Sequence, residues 1–131
     1  MMETGPIPAE AREAGLHPFE VGLGRRPANY VALTPVSLLA RAAAACGARI
    51  AVIDGSRRFT YADLYGRCRR LAAGLAGRGI GSLDTVAILA PNVSEMIVAH
   101  FAVPMLGAVL NPLNTRLDPA TIAFSLRHGG A

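Results

Sequence analysis

Two apolar runs without a charge, "TVAILA" at 85–90 and "AVLN" at 108–111, are separated by room for a single helix. An unbroken apolar run, rather than one alternating with polar residues, is what a parallel strand covered on both faces requires. Parallel neighbours cannot be joined by a tight turn. The chain must cross over the sheet, normally through a helix and with right-handed sense. The intervening residues fit that demand. Pro91-Asn92 turns the chain, Asn92 with Glu95 makes an N-cap pattern, and residues 93–106 are apolar around nearly the whole helix circumference. Pro104 is expected to kink this helix by removing a hydrogen bond, and Gly107 to end it. The pattern commits the chain to an α/β fold with a βαβ crossover.

The rest of the chain is read against that unit. Residues 1–33 mix glycine, proline and charge without periodicity and form an irregular lead-in; 34–131 form the structured domain. Thr34-Pro35 supplies an N-cap and a first-turn proline, with Leu38, Leu39, Ala42, Ala45 and Cys46 on one side and Gly47 at the end. "RIAVIDGSRRFTY" (49–61) reads as a β-hairpin turning at Asp54-Gly55. Thr60 and Asp63 have capping-box spacing, and the helix they open carries Leu64, Cys68, Leu71 and Leu75 as a narrow stripe. Asp118-Pro119 starts a last helix that Gly129-Gly130 stops. The resulting order leaves a further strand as the natural next element.

Composition removes several function classes. Apolar residues are 52% and charged residues 17% of 131, so most of the length is expected to be ordered. The formal charge is +4, but all 13 basic residues are arginines, and the densest cluster, "YGRCRR" (65–70), spreads around its helix. No nucleic-acid reader motif accompanies it, so no nucleic-acid partner is expected. Cys46 and Cys68 lack CxxC spacing and read as reduced buried thiols. His17, His100 and His128 are too far apart to suggest a metal site. The most apolar stretch, 96–110, is broken by His100 and Pro104 and is shorter than the ~20 residues a membrane span needs. The N-terminus has no basic-then-apolar leader, so the compartment is expected to be cytoplasmic and the Asn92-Val93-Ser94 sequon accidental.

No catalytic, cofactor-binding or metal residue emerges from the residues themselves. "GLGRR" (22–26) and "GRGIGS" (77–82) follow no strand, and the chain has no lysine to reach a phosphate. Asp54, Asp63, Asp84 and Asp118 fall at turns and caps, where backbone hydrogen bonding accounts for them.

Resemblance goes further. "FTYADL" (59–64) resembles the first core motif of the adenylate-forming superfamily, which includes acyl-CoA synthetases, non-ribosomal adenylation domains and luciferases; "MLGAVLNPLN" (105–114) resembles its second. "NYVALTPVSLLARAA" (29–43) is similar to the fatty or medium-chain acyl-activating branch. The likeness runs in continuous order over roughly 29–131; Ser82-Leu83-Asp84 departs from it at one surface turn. It implies an N-terminal, incomplete portion of that family's large domain. In the full-length family a carboxylic acid substrate, ATP, Mg and CoA give acyl-CoA, AMP and pyrophosphate.

The family's phosphate loop, acidic ribose-binding motif and catalytic lysine have no counterpart in these residues. The fragment is therefore expected to bind no cofactor and to be catalytically incompetent. Asn111, Asn114 and Arg116 match positions that shape the turn after the second motif. The alternative is a non-catalytic interaction module. It would pair with a separately encoded C-terminal remainder or an intact homologue, or self-associate through an unfinished sheet edge. A small basic membrane-surface protein is a third reading.

Overall fold

A computed structural model describes residues 30–131 together with Gly24, Pro27 and Ala28. The lead-in expected over 1–33 therefore lies almost wholly outside the described residues. The chain divides into two compact units, and the second, Leu33–Ala131, carries every element below. Its order is α1 (Pro35–Cys46), β1 (Ile50–Asp54), β2 (Arg57–Thr60), α2 (Tyr61–Ala76), β3 (Thr85–Leu89), α3 (Ser94–Ala102), a 3-10 turn (Pro104–Leu106), β4 (Val109–Leu113) and α4 (Pro119–Gly129).

Local chemistry explains most of the starts. Thr34 caps α1 by accepting the Ser37 N–H at 3.0 Å, with Pro35 in the first turn. Thr60 and Asp63 form the expected reciprocal box on α2. Asp118 accepts the N–H groups of Ala120 and Thr121 to open α4. In the hairpin, Asp54 pairs with Arg57, so the turn residues are Gly55-Ser56 rather than Asp54-Gly55. Gly55 takes a φ of +60°, which a glycine adopts at little cost in a tight hairpin.

β3 and β4 pair in parallel, Thr85 opposite Val109 through Leu89 opposite Leu113, and α3 makes the crossover. Four details depart from expectation. The helix ends at Ala102, not 106, because Pro104 cannot donate to the continuing ladder; the chain tightens into a 3-10 turn closed by left-handed Gly107. β4 runs past Asn111 to Leu113, carrying Pro112 inside the strand. Among the described residues nothing covers β3 on both faces: Thr85 to Ile88 are half-buried and Leu89 is 51% exposed. The buried stripe of α2 is Leu64, Cys68 and Ala72, with Leu71 turned outward.

The core joins the hairpin to three helices: Leu39, Val52, Phe59, Leu64, Cys68, Ala72, Val98 and Ala102, with Tyr65, Phe101 and Met105 packed against it. Burying a residue of the size of Leu64 or Phe59 contributes about 1.5–3 kcal/mol. Arg67 lies over the Phe59 ring at 4.1 Å and covers the core's outer side.

Candidate functional site

A groove of about 700 Å³ opens beyond the carboxyl ends of β3 and β4. In open parallel sheets this crevice is where ligands are usually held, because the loops leaving adjacent strands diverge there. The loop after β3 brings Pro91 and Asn92, the loop after β4 brings Asn114, Thr115 and Arg116, and α3 supplies Met96 and His100 as one wall.

Each polar group of that groove is set locally. The Asn114 carboxamide oxygen accepts the Arg116 backbone N–H at 2.9 Å, so the side chain folds its own turn. His100 Nδ1 lies 2.8 Å from the Met96 carbonyl oxygen; the contact needs the proton on Nδ1 and directs Nε2 away from the helix backbone. Among the described residues Arg116 is the only arginine in the lining, and no carboxylate of those residues pairs with it. Asn111 is not part of the lining. Its amide donates to the Ser125 carbonyl at 3.4 Å and ties β4 to α4, which approaches so closely that a Cβ on Gly129 would sit 2.6 Å from it. Of the three residues matched to the turn after the second motif, two meet at the groove and one holds a helix.

The wall formed by α3 is anchored from a distance. The pattern expected of Asn92 and Glu95 does not cap it. Val93 holds the N-cap position without a side-chain bond, and the Ser94 N–H donates to Asp54 Oδ2 at 3.0 Å, across forty residues of sequence. Arg57 pairs with Asp54 and also reaches Glu95, Nη1 to Oε1 at 2.8 Å and Nη2 to Oε2 at 3.2 Å. The guanidinium holds the Glu95 carboxyl at about 2. The Ser94 N–H, with Arg57 beside it, keeps Asp54 below the usual carboxylate range, while its two partners raise Arg57. Sequence reasoning missed this clamp. Asp54 and Arg57 have hairpin spacing, but nothing local points to Ser94.

The same accounting decides what the site can hold. Among the described residues every carboxylate is committed: Asp54 and Glu95 to the clamp, Asp63 to Thr60, Asp84 to the Gly81 N–H and Asp118 to the start of α4. No three His, Cys, Asp or Glu side chains of the described residues stand together as metal ligands. The left-handed glycines Gly55, Gly79, Gly107 and Gly130 close turns and helix ends, and none cradles a phosphate beside a convergent cation. These residues do not fit a Mg–nucleotide site. Cys68 is fully buried, which pushes its thiol up to about 11, and Cys46 donates to the Ala42 carbonyl; neither is a poised nucleophile.

A family model described as AMP-binding enzyme matches residues 39–131. A peroxisomal acetate/butyrate–CoA ligase of Arabidopsis thaliana is 56% identical over 106 residues, 81% of this chain and 19% of that protein. An acetate–CoA ligase of Humulus lupulus is 50% identical over 109 residues, 83% of this chain and 19% of the relative. Among solved structures, the O-succinylbenzoate coenzyme A synthetase of Bacillus subtilis, in complex with ATP and magnesium ion, superposes with a TM-score of 0.68 at 34% identity. That match covers 71% of this chain and 26% of the other. The N-terminal subdomain of Klebsiella oxytoca NpsA gives 0.70 at 28% identity, covering 74% and 25%. The chain thus spans about a fifth of the length of the curated relatives it matches.

Proposed function

The chain belongs to the AMP-binding enzyme family, and on that premise we propose that it is the N-terminal part of an AMP-forming acyl-CoA synthetase. The reaction of the whole enzyme would join a fatty or related carboxylic acid to CoA with conversion of ATP to AMP and pyrophosphate. The observation that carries this reading is the 56% identity to an acyl-CoA ligase over 106 residues. The geometry supports it through the groove at the strand ends, where such a residue set would wall a site completed by other segments.

By itself this chain forms neither acyl adenylate nor acyl-CoA in our reading. Stabilising charge on a transferring adenylyl group takes several preorganised donors and cations, and losing one commonly costs about 3–4 kcal/mol, or 10²–10³ in rate. Among the described residues Arg116 is the only arginine at the groove and the carboxylates are committed elsewhere, and the sequence contains no lysine. The test is carboxylate-dependent ATP–pyrophosphate exchange by the purified chain with a panel of fatty and aromatic acids. No exchange above a heat-treated control is expected; clear exchange would overturn incompetence.

A second reading, an interaction module that pairs with a separately expressed remainder or an intact homologue, is favoured by the outer edge of β3, which no strand of the described residues pairs. Mixing the chain with the remainder of a homologous ligase separates the two. Activity appearing only in the mixture would establish the module, and an inert mixture would leave the fragment reading.

A further inference from the structure

The tip of the hairpin sets a reactive pair against a restraint. In an aspartate–glycine pair the glycine nitrogen can attack the aspartate's own side-chain carbon, because glycine has no side chain to hinder its N–H. Gly55 turns at φ +60°, and a Cβ built on it would meet nothing within 4 Å beyond its chain neighbours. The turn itself therefore does not shield that nitrogen. The Asp54 carboxylate, in contrast, is held twice. Its Oδ2 accepts the Ser94 N–H at 3.0 Å and a bond from Arg57, and both oxygens of Glu95 brace the Arg57 guanidinium in turn. The Asp54 backbone is fixed as well, as the ladder partner of Arg57.

We propose that Asp54-Gly55 is a site of aspartate isomerisation, and that the contacts of Arg57 and Ser94 with the Asp54 carboxylate keep it silent. In the first step the Gly55 nitrogen forms a bond to Asp54 Cγ. One carboxylate oxygen leaves as water, taking the proton of that nitrogen and one proton from solvent. Water then opens the five-membered imide. Attack at Cγ restores aspartate. Attack at the main-chain carbonyl leaves isoaspartate, with the chain running through Cβ and Cγ and the free carboxylate on Cα. Water is the only co-reactant, and the mass of the chain does not change. The held carboxylate opposes the first bond in two ways. Cγ cannot swing toward the nitrogen without breaking both contacts, and the charge that those contacts stabilise makes the carbon a poor target.

Isomerisation would be felt beyond the turn. One added methylene in the main chain displaces the Asp54–Arg57 ladder pair, and the moved carboxylate no longer serves the Ser94 N–H at the start of α3. That helix carries Met96 and His100 of the groove, so the modified hairpin would slowly release its anchor. The inference rests on the hairpin and its contacts alone and is independent of the acyl-CoA synthetase reading.

The test is incubation of the purified 131-residue chain for weeks in warm neutral buffer, followed by tryptic digestion. The peptide Ile50–Arg57 carries the pair, and its isoaspartate form separates from the aspartate form at equal mass. A synthetic peptide of the same residues, incubated alongside, gives the rate of an unheld carboxylate. The wild-type chain should isomerise about tenfold more slowly than the peptide, or slower still, the factor that one hydrogen bond to a charged group sustains. Ser94→Pro removes the N–H that Asp54 accepts while setting proline at the first helical position, after a Val93 already in extended backbone. This variant should start α3 normally and isomerise faster than wild type, as should Arg57→Leu. Gly107→Ala, weakened at a turn outside the clamp, should keep the wild-type rate. A wild-type chain as fast as the peptide overturns the proposal. So does a Ser94→Pro or Arg57→Leu chain no faster than wild type. A Gly107→Ala chain as fast as Ser94→Pro overturns it too, because general loosening rather than the held carboxylate would then set the rate.

Discussion

Among single residues, Arg57 has the widest reach. It sits on β2, bonds Asp54 of β1 and grips both oxygens of Glu95 on α3. Asp54 in turn takes the helix N–H that no local side chain satisfies. Carboxylates stabilised in this way make the fold acid-sensitive. Glu95 is held at about 2 against an ordinary 4.5, and Asp54 also lies below its ordinary 3.8. A lowered carboxyl contributes its full stabilisation above the unfolded value and loses it as pH falls through the folded one. The melting temperature should therefore be flat above about pH 5 and fall between pH 4.5 and 2. Arg57→Leu should flatten that acid fall as well as lower the plateau. An unchanged pH profile in the variant would refute the assignment of the acid sensitivity to this clamp.

At the level of elements, proline and glycine decided the lengths. Pro104 ends α3 at Ala102 rather than at 106, and Gly107 then reverses the chain into β4 with φ +72°. The Ser82 hydroxyl would stand 3.1 Å from a Cβ at that position. Gly107→Ala combines left-handed strain of about 1–2 kcal/mol with this close approach. A lower denaturant midpoint with unchanged slope is expected; an unchanged midpoint would show that the turn relaxes freely. The helix starts were legible because Thr34, Thr60 and Asp118 satisfy N–H groups a few residues away. The end of α3 and the cap at Ser94 were not, since a first-turn proline inside a helical pattern and a distant carboxylate leave no periodic trace. Leu71 shows a related limit. Its spacing from Leu64 fits a stripe, yet the hairpin and α3 cover the side of α2 where Ala72 lies.

For the whole molecule, the balance is between a shared core and uncovered apolar surface. Leu33–Ala131 is one compact unit, yet Ile53, Leu83, Leu89, Val109 and Phe124 are all more than half exposed. Such surface makes the chain prone to association. No helix of the described residues is long and apolar enough to cross a bilayer. Alkaline carbonate should therefore release the chain from any membrane pellet; persistence in the extracted membranes would contradict this.

The sequence by itself determined the α/β class, the hairpin, the parallel crossover, most of the caps and the family, because each rests on residues close together in the chain or on an unbroken run of shared motif. It also determined the absence of lysine, and with it the expectation of an incomplete catalytic set. Only the tertiary structure decided that Asp54 would cap a helix forty residues away. It alone decided which side of α2 would be buried, and that Asn114 and Arg116 would meet His100 at one groove while Asn111 turned to α4. Those outcomes depend on which elements pack together and on how the ladder aligns them, and contacts between distant residues carry no local pattern from which they could be read.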